Sequence, residues 1–171
     1  QSDAAAEVAG RFDQLFERLA QRLAASGALL LATADHGFVD VPPAQQLRLD
    51  DYPEIAALLE RPLTGEPRVV YCQVRPGCHE AFEALARETL GHAFEVVPSG
   101  ALVRAGWFGP GAVSPRLAGR IGTHTLIGRD RHTLVDRLPG EPEPAFIGMH
   151  GGIHPDELSV PLAAACRGAP L

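Results

Sequence analysis

Residues 28–32 are wholly apolar, and Asp35-His36-Gly37 follows them almost at once. No other stretch limits the possible folds so strongly. A short run that is apolar at every position suits a strand covered on both faces, the kind found in parallel sheets. Before it, Val8, Phe12, Leu15, Phe16, Leu19 and Leu23 recur at three- and four-residue spacing. That periodicity predicts an amphipathic helix over residues 3–25, stopped by Gly27. A helix followed by a buried strand predicts an α/β unit with a mainly parallel sheet. The strand then delivers a carboxylate and an imidazole to the sheet edge, where ligand sites of open α/β sheets lie. A second histidine has similar small neighbours, in Gly148-Met149-His150-Gly151-Gly152. Carboxylate oxygen and imidazole nitrogen are ordinary zinc donors. Glycine beside them permits close approach of the backbone to a metal or phosphate. The expectation is that Asp35, His36 and His150 converge.

The rest of the chain reads as alternating short elements. Residues 51–59 read as a short helix with Pro53 in its first turn. Residues 68–74 and 94–97 read as strands, and residues 78–90 between them as a helix with Phe82, Leu85, Ala86 and Leu90 on one face. Residues 102–107 fit either a strand or a short helix, and the glycine- and proline-rich stretch 106–115 reads as a loop. Residues 121–129 and 132–135 read as a hairpin, 139–144 as a linker and 159–166 as a closing apolar strand. His154 precedes Pro155-Asp156-Glu157, a helix start with acids in its first turn. His79, His92, His124 and His132 carry no pattern beyond structural roles, and His124 and His132 are expected at the surface. Trp107 and Phe108 suit a substrate-facing loop or a cap over the core equally. Of three cysteines, Cys72 and Cys166 lie in apolar runs and read as buried thiols, while Cys78 stands at a helix start.

Composition excludes some functions. The 171 residues are 46% hydrophobic and 21% charged, with net charge −6. That is enough apolar matter for a real core, and the absence of a basic run argues against nucleic acid as a stable partner. No segment is long and apolar enough for a membrane span. A soluble protein is expected, cytoplasmic rather than secreted.

Residues 30–37, from Leu30 to Gly37, and residues 148–162, from Gly148 to Leu162, together resemble the alkaline phosphatase superfamily in its nucleotide pyrophosphatase/phosphodiesterase branch. The resemblance implies the C-terminal half of a three-layer α/β sandwich. Its core would comprise residues 1–66 and 139–171, with a small α+β lobe inserted over 67–138. It implies that Asp35 and His36 bind one divalent metal and His150 its neighbour, as two zinc ions in the intact protein. His154 falls where the family has a small residue and is not counted. The family's nucleophile and remaining ligands lie upstream of the Asp-His pair, so the chain, which begins at Gln1, reads as a fragment lacking the N-terminal half. The implied activity is hydrolysis of small-molecule phosphate esters by the parent protein, with the fragment alone inactive. Two other readings stand beside it. One is a non-catalytic ligand- or partner-binding domain; the other is a phosphomutase or sulfatase of the same superfamily.

Overall fold

The computed structural model describes residues 3–137, 140 and 147–166. In chain order it contains α1 (Asp3–Leu23), β1 (Leu30–Thr33), β2 (Val39–Asp40), β3 (Gln46–Arg48), α2 (Pro53–Ala57), β4 (Thr64–Glu66), β5 (Val69–Cys72), α3 (His79–Leu90), β6 (Phe94–Pro98), α4 (Ser99–Arg104), α5 (Leu117–Ile121), β7 (His124–Gly128), β8 (Thr133–Val135), β9 (Gly148–Met149), α6 (Pro155–Leu158) and β10 (Leu162–Ala165). The expected α/β class holds. The linker read over 139–144 lies outside the described residues apart from position 140.

The chain divides into two compact units, one of residues 1–35 and 160–171, the other of residues 36–159. The boundaries read from the sequence at 66/67 and 138/139 cut across the second unit.

The first unit pairs β1 with β10, antiparallel, from Leu30 opposite Ala165 to Thr33 opposite Leu162. The helix read over 3–25 is present as α1, but none of its residues is buried. Phe12 is 67% exposed, and Val8, Leu15 and Leu19 are exposed with it. The run 28–32 was expected to be a buried strand, and β1 is instead largely exposed, as is Leu162 on its partner. Cys166, expected to be buried, is exposed too. The physical reason is common to all three. An apolar stripe shows which face seeks a cover, but burial needs a second surface to supply it.

The second unit holds the core. Its main sheet has the order β4-β5-β7-β6, with every neighbouring pair antiparallel. α3 lays Phe82, Ala86 and Leu90 into a cluster with Val70, Cys72, Phe94, Val96 and Leu126. Pro53 opens α2, where the missing N–H of proline costs nothing. The mainly parallel sheet expected from the sequence is not found among the described residues, where only β3 and β8 pair in parallel. The hairpin expected over 121–135 is also absent. β7 is already flanked by β5 and β6. It has no edge left to offer, so β8 pairs with β3 instead. Asp130, at φ 46°, makes the turn between β7 and β8.

Candidate functional site

Two short strands bring the histidine motifs together. β2 pairs antiparallel with β9, Val39 opposite Met149 and Asp40 opposite Gly148. Val41 N–H donates to the Ile147 carbonyl at 2.9 Å and extends the pairing. This register places the residue before β2 beside the residue after β9. The rings of His36 and His150 stack at 3.9 Å between centroids and 13° between planes. Phe38 stands edge-on to both, at 5.0 Å from His36 and 5.4 Å from His150. Asp35 closes the first unit and His36 opens the second.

Gly37 locks the first motif in place. Its N–H donates to the Glu157 carbonyl at 2.8 Å. A Cβ at Gly37 would overlap the Asp156 carbonyl, so only glycine fits there. The Gly37 carbonyl accepts a hydrogen bond from His36 Nδ1 at 2.9 Å. A carbonyl can only accept, so Nδ1 carries the proton and the ring lone pair sits on Nε2. Metal-binding histidines are commonly oriented in this way.

The second motif is held from below by a buried ion pair that sequence reading missed. Arg68 is 0% and Glu157 2% exposed. Arg68 Nε donates to Glu157 Oε1 at 3.0 Å and Arg68 Nη2 to Oε2 at 2.8 Å. The guanidinium also donates to the carbonyls of His132 at 2.7 Å and Asp130 at 2.8 Å. Glu157 in turn accepts the backbone N–H groups of Gly152 at 2.9 Å and His154 at 3.0 Å. Burial pushes the Glu157 carboxyl pKa up, but the hydrogen bonds from Arg68, Gly152 and His154 outweigh it and hold the pKa below the usual carboxylate range. A buried pair of this kind is stable only when its remaining donors and acceptors are satisfied; here the guanidinium's donors go to the turn after β7 and the carboxylate's acceptors take the N–H groups after His150.

The two glycines after His150 therefore have a different reason from the one the sequence suggested. Gly151 has φ 96°, and a Cβ there would press on the Glu66 side chain. A Cβ on Gly152 would meet Glu157 and the Arg68 guanidinium. The space is taken by protein. His154 caps α6, its side chain accepting from Asp156 N–H at 3.2 Å while Glu157 bonds back to the His154 N–H. The helix start was legible in His154-Pro155-Asp156-Glu157, with acids in its first turn; the reciprocal capping by a histidine was not. Arg68 offered no such signal, being a lone charge before an apolar strand.

His124, expected at the surface, is 3% exposed. It lies on the central strand β7, where its ring contacts Phe82 and His79 and its Nε2 meets Glu83 Oε1 at 3.2 Å. Burial lowers its pKa despite Glu83. Cys72 is fully buried, and burial pushes its thiol up to about 12. Trp107 and Phe108 are exposed in a loop.

Beside His150 lies a cleft of about 400 Å³ lined by Phe38, Glu66, Pro67, Val135, Met149 and the β9 backbone. Among the described residues, no group of three or more His, Cys, Asp or Glu side chains is placed to hold a metal ion. The candidate site in this chain is thus two stacked imidazoles, a tautomer-setting carbonyl and an adjoining cleft.

The chain is mixed α/β, with two histidine loops joined at one strand pair. The family model for type I phosphodiesterase/nucleotide pyrophosphatase matches residues 1–153. The chain belongs to that family, in the alkaline phosphatase superfamily. Among solved structures it is similar to murine ectonucleotide pyrophosphatase/phosphodiesterase 5, an inactive variant in complex with AMP, with TM-score 0.69 and 16% identity over 97% of this chain and 42% of that one. The human counterpart gives TM-score 0.67 and 17% identity over 97% and 42%. Phosphonoacetate hydrolase from Sinorhizobium meliloti 1021, in complex with phosphonoacetate, gives TM-score 0.63 and 20% identity over 91% and 40%. No curated protein sequence matches the chain at a significant level. The chain spans about two fifths of the length of these structures. No helix among the described residues is long and apolar enough to cross a membrane.

Proposed function

We propose that this chain contributes the His36 and His150 side of a two-metal site that hydrolyses phosphate esters. The observation that carries the reading is the ring stack. Two imidazoles on one tetrahedral metal must aim their in-plane lone pairs at one point, which parallel stacked rings do poorly. Stacked rings suit two neighbouring metals, and the 3.9 Å between centroids is close to the metal spacing of about 3.5–4 Å in such sites. His36, with its lone pair on Nε2, would hold one divalent ion together with Asp35, and His150 would hold the other. Zinc is among the metals that imidazole donors suit. Bound there, the metals would supply Lewis acidity toward a phosphoryl oxygen.

The chain's own residues orient those donors. The Gly37 carbonyl fixes the His36 tautomer, the β2–β9 pairing sets the ring separation, and the Arg68–Glu157 pair anchors the His150 loop. The described residues offer too few donors for two complete metal sites. We infer that an upstream segment of the same protein supplies the nucleophile and remaining ligands. The exposed apolar faces of α1 and β1 are what such a segment would cover.

Zinc uptake measured by equilibrium dialysis tests the reading. Wild-type chain should bind zinc weakly, and His36→Ala and His150→Ala should each lower uptake several-fold. The chain alone should leave aryl phosphate esters at background rates, because a catalytic set acts as a unit. Uptake indifferent to both substitutions would remove the metal role and leave a non-catalytic binding domain.

A further inference from the structure

Between α4 and α5 the chain turns outward. From Arg104 to Arg120 every residue except Leu117 is exposed. Trp107, the one tryptophan of the chain, is 51% exposed, with Phe108 at 38% and Val113 at 55%. The backbone that carries them is fixed at its start. Gly106, at φ 78°, follows α4, and its N–H donates to the Val103 carbonyl while the Trp107 N–H donates to the Leu102 carbonyl, both at 3.1 Å. This pair of bonds is the Schellman closure of a helix. Leu102 is buried, whereas about half of the Trp107 surface stays in solvent. A hollow of about 210 Å³ lies behind the loop, between Val103, Phe108, Val113 and Leu117, with no charged side chain in its lining. Charge is segregated here as well. Residues 99–129 hold Arg104, Arg116, Arg120 and Arg129 and no Asp or Glu, so all 21 acidic residues of a chain of net charge −6 lie elsewhere. Arg61 adds a further guanidinium, its Nη2 donating to the Gly119 carbonyl at 2.6 Å.

We propose that this loop docks on a phospholipid surface bearing anionic headgroups. Trp107, Phe108 and Val113 enter the interface, and Arg104, Arg116 and Arg120 meet the headgroups. The proposal goes beyond the phosphoester reading and does not depend on it. Tryptophan favours the boundary between headgroups and acyl chains, because its ring is apolar while its N–H still finds a polar partner. Arginines beside it are drawn to anionic lipid. A folded acidic partner would need a sheet edge or a long helix face to pair with, and this stretch offers only α4 and α5, of six and five residues. A fluid surface needs neither.

The single tryptophan makes the test local, because its emission reports the loop and not the exposed face of α1. The chain is mixed with vesicles of phosphatidylglycerol and phosphatidylcholine in equal parts, with pure phosphatidylcholine vesicles as the neutral control. Sedimentation reads binding, and tryptophan emission reads insertion. Emission should shift to the blue, binding should be at least about tenfold tighter on the anionic vesicles, and added salt should weaken it. Arg116→Gln combined with Arg120→Gln should weaken binding about tenfold or more. Phe108→Ser should weaken it several-fold. Melting temperature should be unchanged in both variants, because these positions are exposed. No binding, equal binding to neutral vesicles, or binding indifferent to the arginine pair would overturn the proposal. So would sedimentation without a blue shift, which would put the contact on another face, α1 included. A blue shift that follows chain concentration without vesicles would assign the loop to a second copy. Vesicle binding that is lost in the intact parent protein would assign it to the upstream segment. Either result overturns the proposal.

Discussion

α1 and α3 carry the same kind of apolar stripe and meet opposite fates. In α3 the stripe of Phe82, Ala86 and Leu90 is buried against β5, β6 and β7. In α1 the stripe of Val8, Phe12, Leu15 and Leu19 stands exposed, and no residue of the helix is buried. Periodicity states which face of a helix is apolar; whether that face contributes stability depends on what lies opposite. The contrast extends to the strands. β7 is buried along its whole length, whereas β1 is mostly exposed although its sequence is as apolar.

The sharpest test of this contrast uses the thiols. Cys72 in the core is fully buried with its pKa pushed up to about 12, and Cys166 is exposed. At pH 8 only about one Cys72 in ten thousand would be a thiolate, the reactive form. Iodoacetamide should label Cys166 in the native chain at least about a hundredfold faster than Cys72, read by mass spectrometry of tryptic peptides. Comparable rates would mean that the second unit opens readily.

Next in size are the two phenylalanines. Phe82→Ala should cost about 3–5 kcal/mol in urea unfolding, the usual penalty for emptying a buried aromatic site. Phe12→Ala should stay within about 0.5 kcal/mol, as for an exposed position. A large loss at Phe12 would show that something covers α1 in solution.

The ion pair comes third. Arg68→Met leaves Glu157 buried without its partner and should cost about 3 kcal/mol or more. Replacing both, as Arg68→Met with Glu157→Leu, should recover much of that loss while freeing the backbone N–H groups of Gly152 and His154 from their acceptor. The double variant should therefore keep its stability better than its zinc uptake. Equal losses in both would make the pair purely structural.

The smallest effect is the pH dependence. The Glu157 pKa is lower in the folded chain than the ordinary 4.5. Its contribution is complete above that ordinary value and is lost as pH falls through the folded pKa, because the unfolded chain takes up the proton first. The His124 pKa lies below the ordinary 6.5, so its contribution is complete above 6.5 and declines as pH drops toward the folded pKa. Melting temperature should thus fall in two stages on acidification. His124→Gln should remove the upper stage and Glu157→Gln the lower. A wild-type profile flat from pH 7 to 5 would contradict the buried state of His124.

Local patterns read well because they depend on neighbours in sequence. The helix period over α1 and α3, Pro53 at the start of α2, the apolar strands and the start of α6 all follow from side chains a few positions apart. The Asp-His-Gly and His-Gly-Gly motifs marked His36 and His150 as a pair before any geometry was known. The chain could not announce from its sequence which strands pair. β8 leaves its sequence neighbour β7 for β3 because β7 is saturated on both edges, a fact about the whole sheet. Nor could it announce that Arg68 would be buried against Glu157, since one guanidinium among fifteen basic residues looks like a surface charge until its partners Glu157, His132 and Asp130 are known. The stacking of His36 on His150 belongs to the same category. Sequence determined which side chains could serve as donors, because donor chemistry is a property of single residues. Tertiary structure decided their separation, their tautomer and the reason for their glycines, because those depend on backbone pairing and close packing between segments distant in the chain.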